Sequence, residues 1–160
     1  MPVASGGDIW QQKMQQNLTA DAIIARLGLA PHPEGGWYRQ TWVAPGPADG
    51  AGRASGTCIY FLLQAGERSH WHRGDATKIW LYHAGAALER RIAKADAGPV
   101  QRRTLGRDLA GGAEPQRIVP AHWWQAAVSL GDWTLVSCTV SPGFRFDGFD
   151  LALPGFDIPG

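Results

Sequence analysis

The sequence predicts an all-β domain, an antiparallel sandwich or barrel with one short helix near its N-terminus. Three observations carry this. Short strand-like runs recur along the chain with a turn signal between each and the next. The 21 glycines and 11 prolines are dispersed rather than massed, as tight turns between many strands require. A convincing helical pattern occurs in one segment alone.

That helix runs from Ala20 to Leu27. Thr19 is its N-cap, Ile23, Ile24 and Leu27 form an apolar stripe, and Gly28 stops it. After Pro31-His32-Pro33-Glu34-Gly35-Gly36 the period changes. Trp37 to Trp42 reads as a strand, and Ala44 to Gly56 as a Gly/Pro/Ala loop. Thr57 to Leu63 is nearly all apolar, so both its faces should be buried. Further strands are expected at Lys78–His83, Leu88–Ala93, Val100–Leu105, Gln116–Val119, Trp123–Val128 and Trp133–Val140. Gly66, Gly85, Ala97-Gly98-Pro99, Gly111-Gly112 and Leu130-Gly131-Asp132 separate them.

Composition narrows the function. A chain of 160 residues can bury one substantial core. With 44% hydrophobic and 18% charged residues it should fold rather than stay disordered. Net charge is +1 with no basic block, which argues against nucleic acid or an anionic membrane as partner. No apolar run approaches the roughly 18 residues of a membrane span. Residues 1–17 are polar and lack a signal-peptide core, so they read as a flexible tail before a single domain at 18–160, in a cytoplasmic protein. Cys58 and Cys138 lie in apolar runs with no zinc-motif spacing, and read as buried reduced thiols.

The chemistry concentrates in Gly66-Glu67-Arg68-Ser69-His70-Trp71-His72, with Lys78 and Gly85 beyond. Residues two apart on a strand share a face, so His70 and His72 should project together, as two imidazoles sharing one ion would. By the same rule Lys78, Trp80 and Tyr82 share a face. Pro120-Ala121-His122-Trp123-Trp124-Gln125 follows a later apolar run.

These segments resemble the two sequence motifs of the cupins, the second in a degenerate form. Pro33 to Tyr38, Ser69 to Arg73, Ile79-Trp80, Ala84-Gly85, Trp124 to Ala127, Ser141-Pro142-Gly143-Phe144 and Phe149 are jointly similar to a family of small, largely uncharacterised cupins that includes a yeast protein of known fold. The resemblance covers about Leu27 to Leu151. It implies a double-stranded β-helix, the jelly-roll barrel, with a small-molecule site inside and a homodimer as the assembly. A cupin metal site would use three histidines and a carboxylate. Here Lys78 stands at the glutamate position and Gln125 at the last histidine position. An ammonium repels a cation rather than ligating it, so His70, His72 and Gln125 remain as candidate ligands for a divalent transition metal.

Every other candidate has a structural reading beside its functional one. Lys78 is an anion holder or an activated amine, or else pairs with an acid such as Asp75. Tyr82 is the candidate general acid. Tyr38, Tyr60, Trp80 and Trp124 line the pocket or pack the core. Arg39 grips an anionic substrate or lies on the surface. Glu34 is a catalytic acid at the barrel mouth or a turn residue. His32 and His83 read as structural or surface. The leading expectation is a metal-independent isomerase, epimerase or lyase using His72 or His70 as base on a small polar or anionic metabolite. The alternatives are a metal-dependent (Fe, Mn, Ni or Zn) oxygenase or isomerase, and a binding module without turnover.

Overall fold

A computed structural model describes residues 18–46 and 52–160. The N-terminal tail expected at 1–17 lies outside the described residues. Helix α1 spans Ala20–Leu27 as the sequence predicts. Thr19 Oγ1 accepts the Ala22 amide at 3.1 Å, and Gly28 ends the helix at φ 63°. Arg39 donates to the Leu27 carbonyl at 2.8 Å, a cation placed on the negative end of the helix dipole.

The strands are β1 (Ala30–Pro31), β2 (Trp37–Val43), β3 (Thr57–Gln64), β4 (Arg68–Gly74), β5 (Thr77–Gly85), β6 (Leu88–Ala93), β7 (Gln101–Leu105), β8 (Gln116–Val119), β9 (Trp124–Ser129), β10 (Trp133–Ser141) and β11 (Phe149–Leu151). They form a six-stranded sheet, β1-β2-β3-β10-β5-β8, and a five-stranded sheet, β11-β4-β9-β6-β7. All pairs within the two sheets are antiparallel. Strands β1 and β11, too short to show a period, are the ones the sequence does not announce.

Strict alternation explains the three cores. Phe61, Leu63, Trp80, Leu88, Leu105, Val119, Val136 and Cys138 fill the space between the sheets. On the outer face of the six-stranded sheet, Leu62 meets Ala20 and Ile23 of α1. That is why the Thr57–Leu63 run is apolar on both faces. On the outer face of the five-stranded sheet, Trp71, Trp124 and Ala126 are covered by Ile158 and Phe156 of the C-terminal segment. Burying each of these large side chains contributes roughly 1.5–3 kcal/mol. Both cysteines are free thiols, Cys138 buried and Cys58 half-buried. Among the described residues no helix is long and apolar enough to cross a membrane.

Candidate functional site

The site is built on the Pro33-Glu34-Gly35-Gly36 turn, which is pressed into the barrel rather than held at its rim. Gly35 has φ 105° and Gly36 φ 75°, both outside the range of ordinary side chains. A Cβ on Gly35 would lie 2.0 Å from the Arg68 carbonyl oxygen, so the turn lies directly against β4. There the Glu34 carbonyl accepts the His70 amide at 2.7 Å.

This contact leaves Glu34 only 3% exposed. Its carboxylate takes a hydrogen bond from Ser69 Oγ at 2.8 Å and lies 2.8 Å from His72 Nδ1. Burial alone would raise the Glu34 carboxyl. The charges of His72 and Lys78, the His72 hydrogen bond and the His32 charge outweigh it and hold the group well below the usual carboxylate range. Glu34 is therefore an anion at neutral pH.

His72 Nδ1 faces two acceptors, the Glu34 carboxylate and the His70 carbonyl at 2.7 Å. Only an Nδ1–H satisfies both, which fixes the ring's tautomer and orientation. Its Nε2 is buried and has no hydrogen-bond partner among the described residues. His72 lines a cavity of about 840 Å³, counted with its open mouth. Glu34, Lys78, Gln125, Tyr38, Cys138 and an aromatic wall of Phe144, Phe146 and Phe149 line it as well. The Phe149 ring lies 5.4 Å from the His72 ring and 5.6 Å from Phe144. The Lys78 ammonium rests 4.9 Å from the Trp80 ring centre. It forms no ion pair among the described residues, because Asp75 is gripped by Arg53 at 2.7 and 3.1 Å. Burial pushes the Cys138 thiol up to about 12, with Lys78 opposing it, so this thiol is no nucleophile at neutral pH.

The Cupin superfamily (DUF985) family matches residues 21–152 of the sequence. The chain is a cupin of this family. A solved structure from Shewanella oneidensis is 40% identical, with a TM-score of 0.79 over 84% of this chain and 85% of that one. A hypothetical protein from Leishmania major is 31% identical, with a TM-score of 0.77 over 87% and 90%. A dTDP sugar isomerase from Desulfovibrio desulfuricans shares the fold alone, at 13% identity and TM-score 0.55 over 74% and 85% of the chains. Among curated proteins none matches the sequence.

Within this cupin the structure brings together Glu34, Tyr38, His72, Lys78 and Gln125. Trp80 stands directly behind, donating to Gln125 Oε1 at 2.9 Å. Five other expected residues lie elsewhere. The expected projection of His70 beside His72 fails because β4 is bulged: Ser69 pairs with Ala127 but His72 with Gln125, so three steps on β4 match two on β9. Ser69 and His72 consequently both reach Glu34, while His70 Nε2 bonds the Leu153 carbonyl at 2.9 Å. Arg39 follows the inward Tyr38 and so points outward, to the end of α1. Tyr60 and Trp124 alternate with the inward Phe61 and Gln125 for the same reason. Tyr82 shares the Lys78 face, but four residues of strand carry it roughly 13 Å away. Its hydroxyl donates to Gly85 O.

The expected metal ligands therefore do not converge. His70 is turned away, the Gln125 carbonyl is held by Trp80, and a cationic Lys78 occupies the carboxylate position. Among the described residues no three His, Cys, Asp or Glu side chains form a metal cage. The donor set does not fit a cupin metal.

One residue read from the sequence as structural or surface, His32, lines the cavity. Its Nδ1 accepts the Glu34 amide at 3.1 Å. The signal available was its position two residues before Glu34 in the family turn. Burial lowers its pKa to about 4; Glu34 pulls upward, Lys78 and His72 downward. The folded state thus favours the neutral ring relative to the ordinary 6.5. Its contribution is full above about 6.5 and is lost as pH falls toward 4, on the order of 3 kcal/mol in all. His32→Asn keeps an acceptor for the Glu34 amide and cannot titrate. Urea midpoints measured from pH 7 to 4.5 should fall less steeply for His32→Asn than for the parent. Equal slopes would place the acid sensitivity in another group.

Proposed function

We propose that this cupin is a metal-independent acid/base enzyme, an isomerase, epimerase or lyase, acting on a small anionic carbonyl compound. The observation that carries the reading is His72: Nδ1 is tied to a buried carboxylate, and the unpartnered Nε2 belongs to a ring lining a cavity that also holds an unpaired ammonium. An imidazole held with its proton on Nδ1 keeps a basic Nε2, the atom that would take a proton from carbon next to a carbonyl. Glu34 stabilises the imidazolium that forms. Lys78 supplies positive charge for the enolate oxygen or for a substrate carboxylate. Gln125 offers a fixed amide. Tyr38 is the phenol lining the cavity and takes the acid role that Tyr82 is too distant to fill. The aromatic wall excludes water from the intermediate.

The test is solvent exchange. The protein is incubated in D₂O with a panel of small 2-oxo acids and keto-sugar derivatives, and deuterium at the carbon beside the carbonyl is read by NMR. Exchange that a chelator leaves unchanged is the expected result. Exchange abolished by chelation and restored by a metal would overturn metal independence. No exchange across the panel would leave only a binding role for the cavity.

A homodimer is part of the same reading. Trp42 and Val43 at the end of β2 are 52% and 50% exposed, on the part of the strand that β1 does not pair with. Light scattering at micromolar concentration should give twice the chain mass, and a monomer mass would reject the dimer.

A further inference from the structure

A second cavity opens in the seam where the last strand of one sheet faces the last strand of the other. Strand β8 ends the six-stranded sheet and β7 ends the five-stranded sheet, and a bridge between Leu105 and Glu114 joins the end of β7 to the segment before β8. The seam is an open cleft of about 720 Å³ counted with its mouth, and Arg90, Arg103, Arg117, Gln101, Gln116 and Glu114 are among the residues lining it.

Arg90 is the residue that calls for explanation. It sits on β6 between Leu88 and Ile92, the two residues that share its inward face and belong to the inter-sheet core. An arginine at such a position is 2% exposed, and its Nε and Nη2 have no hydrogen-bond partner among the described residues. Buried charges in native proteins are paired, because an isolated one loses its hydration without return. Here the guanidinium has the Trp80 ring 5.5 Å away, a contact that satisfies no N–H. Glu114, the one carboxylate among the described residues that line the seam, is taken by Arg117 at 3.0 Å. Arg117 Nε is itself buried and unpartnered. Burial lowers Arg90 to about 10, Cys138 opposing and Arg117 adding to the fall, so it remains charged at neutral pH. The seam is thus a polar cavity with an uncompensated buried cation on its wall and two more arginines beside it.

We propose that the seam binds a small oxyanion, a phosphate or carboxylate group, with Arg90 as the main contact and Arg103 and Arg117 as flanking cations. Guanidinium forks match both groups geometrically. The site is separate from the Glu34–His72 cavity and does not rest on the acid/base reading. Trp80 has the Lys78 ammonium 4.9 Å from its ring and the Arg90 guanidinium 5.5 Å from it, so it contacts a cation of each cavity.

The test is calorimetric titration of the full chain with inorganic phosphate, and separately with acetate, at fixed ionic strength. One Arg90-dependent site per chain is expected. Arg90→Met should weaken it roughly tenfold or more. Methionine suits the apolar neighbours, so Arg90→Met should also melt at a higher temperature than the anion-free parent and gain nothing from added phosphate. Lys94→Met, at an exposed cation that lines neither cavity, should bind as the parent does. Equal affinity in Arg90→Met would overturn the proposal. So would loss of binding in Lys78→Met, which would move the anion to the other cavity. Absence of binding by either anion up to millimolar concentration would mean that water alone solvates Arg90. A parent dimer that becomes monomeric in Arg90→Met, with no anion bound, would assign the seam to an acidic side chain of a second copy.

Discussion

His72→Asn should lower the rate of solvent-deuterium exchange by about a thousandfold or more while the protein stays folded. The asparagine amide falls near the position of Nδ1, so the Glu34 carboxylate and the His70 carbonyl keep a donor. What disappears is Nε2, the base. The choice of Asn over Ala matters, because leaving the buried Glu34 carboxylate short of a donor costs roughly 1.5–3 kcal/mol and would confuse lost chemistry with lost structure. Glu34→Gln tests the other half of the pair. It keeps the shape, removes the charge, and permits the wrong ring tautomer, for which a loss of roughly a hundredfold to ten-thousandfold is expected. The two losses should not add, since both act through one proton transfer. His72→Asn with exchange within about tenfold of the parent would place the base elsewhere.

How much of this was legible in the sequence follows from alternation. The helix was announced by its caps and stripe, and most strands by runs whose period is two. Family segments pointed to Glu34, His72, Lys78 and Gln125, and all four line one cavity. Three of the misplaced residues, Arg39, Tyr60 and Trp124, share a cause. Arg39 adjoins Tyr38 and Trp124 adjoins Gln125, and neighbours on a strand cannot both face inward. His70 obeyed the period-two rule on paper, but one extra residue in β4 broke the rule at that point, and a bulge leaves no mark in composition. Tyr82 had the right face and the wrong height. Arg90 was within reach of the same rule, since Leu88 and Ile92 on either side already placed it inward. The phenylalanine wall was beyond it: Phe146 and Phe149 come from a short 3₁₀ turn and a three-residue strand, elements too brief to carry a period.

Gly35→Ala should destabilise the fold by about 4 kcal/mol or more, a large part of the roughly 5–15 kcal/mol a domain of this size possesses. Two separate penalties meet at this position. An alanine at φ 105° occupies a conformation available almost only to glycine, costing about 1–3 kcal/mol. Its Cβ would also lie 2.0 Å from the Arg68 backbone oxygen, and a main-chain atom inside a paired strand cannot swing aside as a side chain could. The turn must then lift away from β4. That movement breaks the Glu34–His70 backbone bond and withdraws the carboxylate from Ser69 and His72. Gly66→Ala separates the two penalties. Gly66 has φ 80° but open space where a Cβ would go, so only the conformational cost applies. Urea denaturation of the two variants should put Gly35→Ala below Gly66→Ala by at least about 2 kcal/mol. Where enough Gly35→Ala protein folds, its His72 ring should lose the single Nδ1–H tautomer by nitrogen NMR, because the group that enforces it has moved. Equal destabilisation of the two variants would mean that the turn can retreat from β4 at little cost, and that Glu34 is held at His72 by something other than the glycine-tight packing of its own loop.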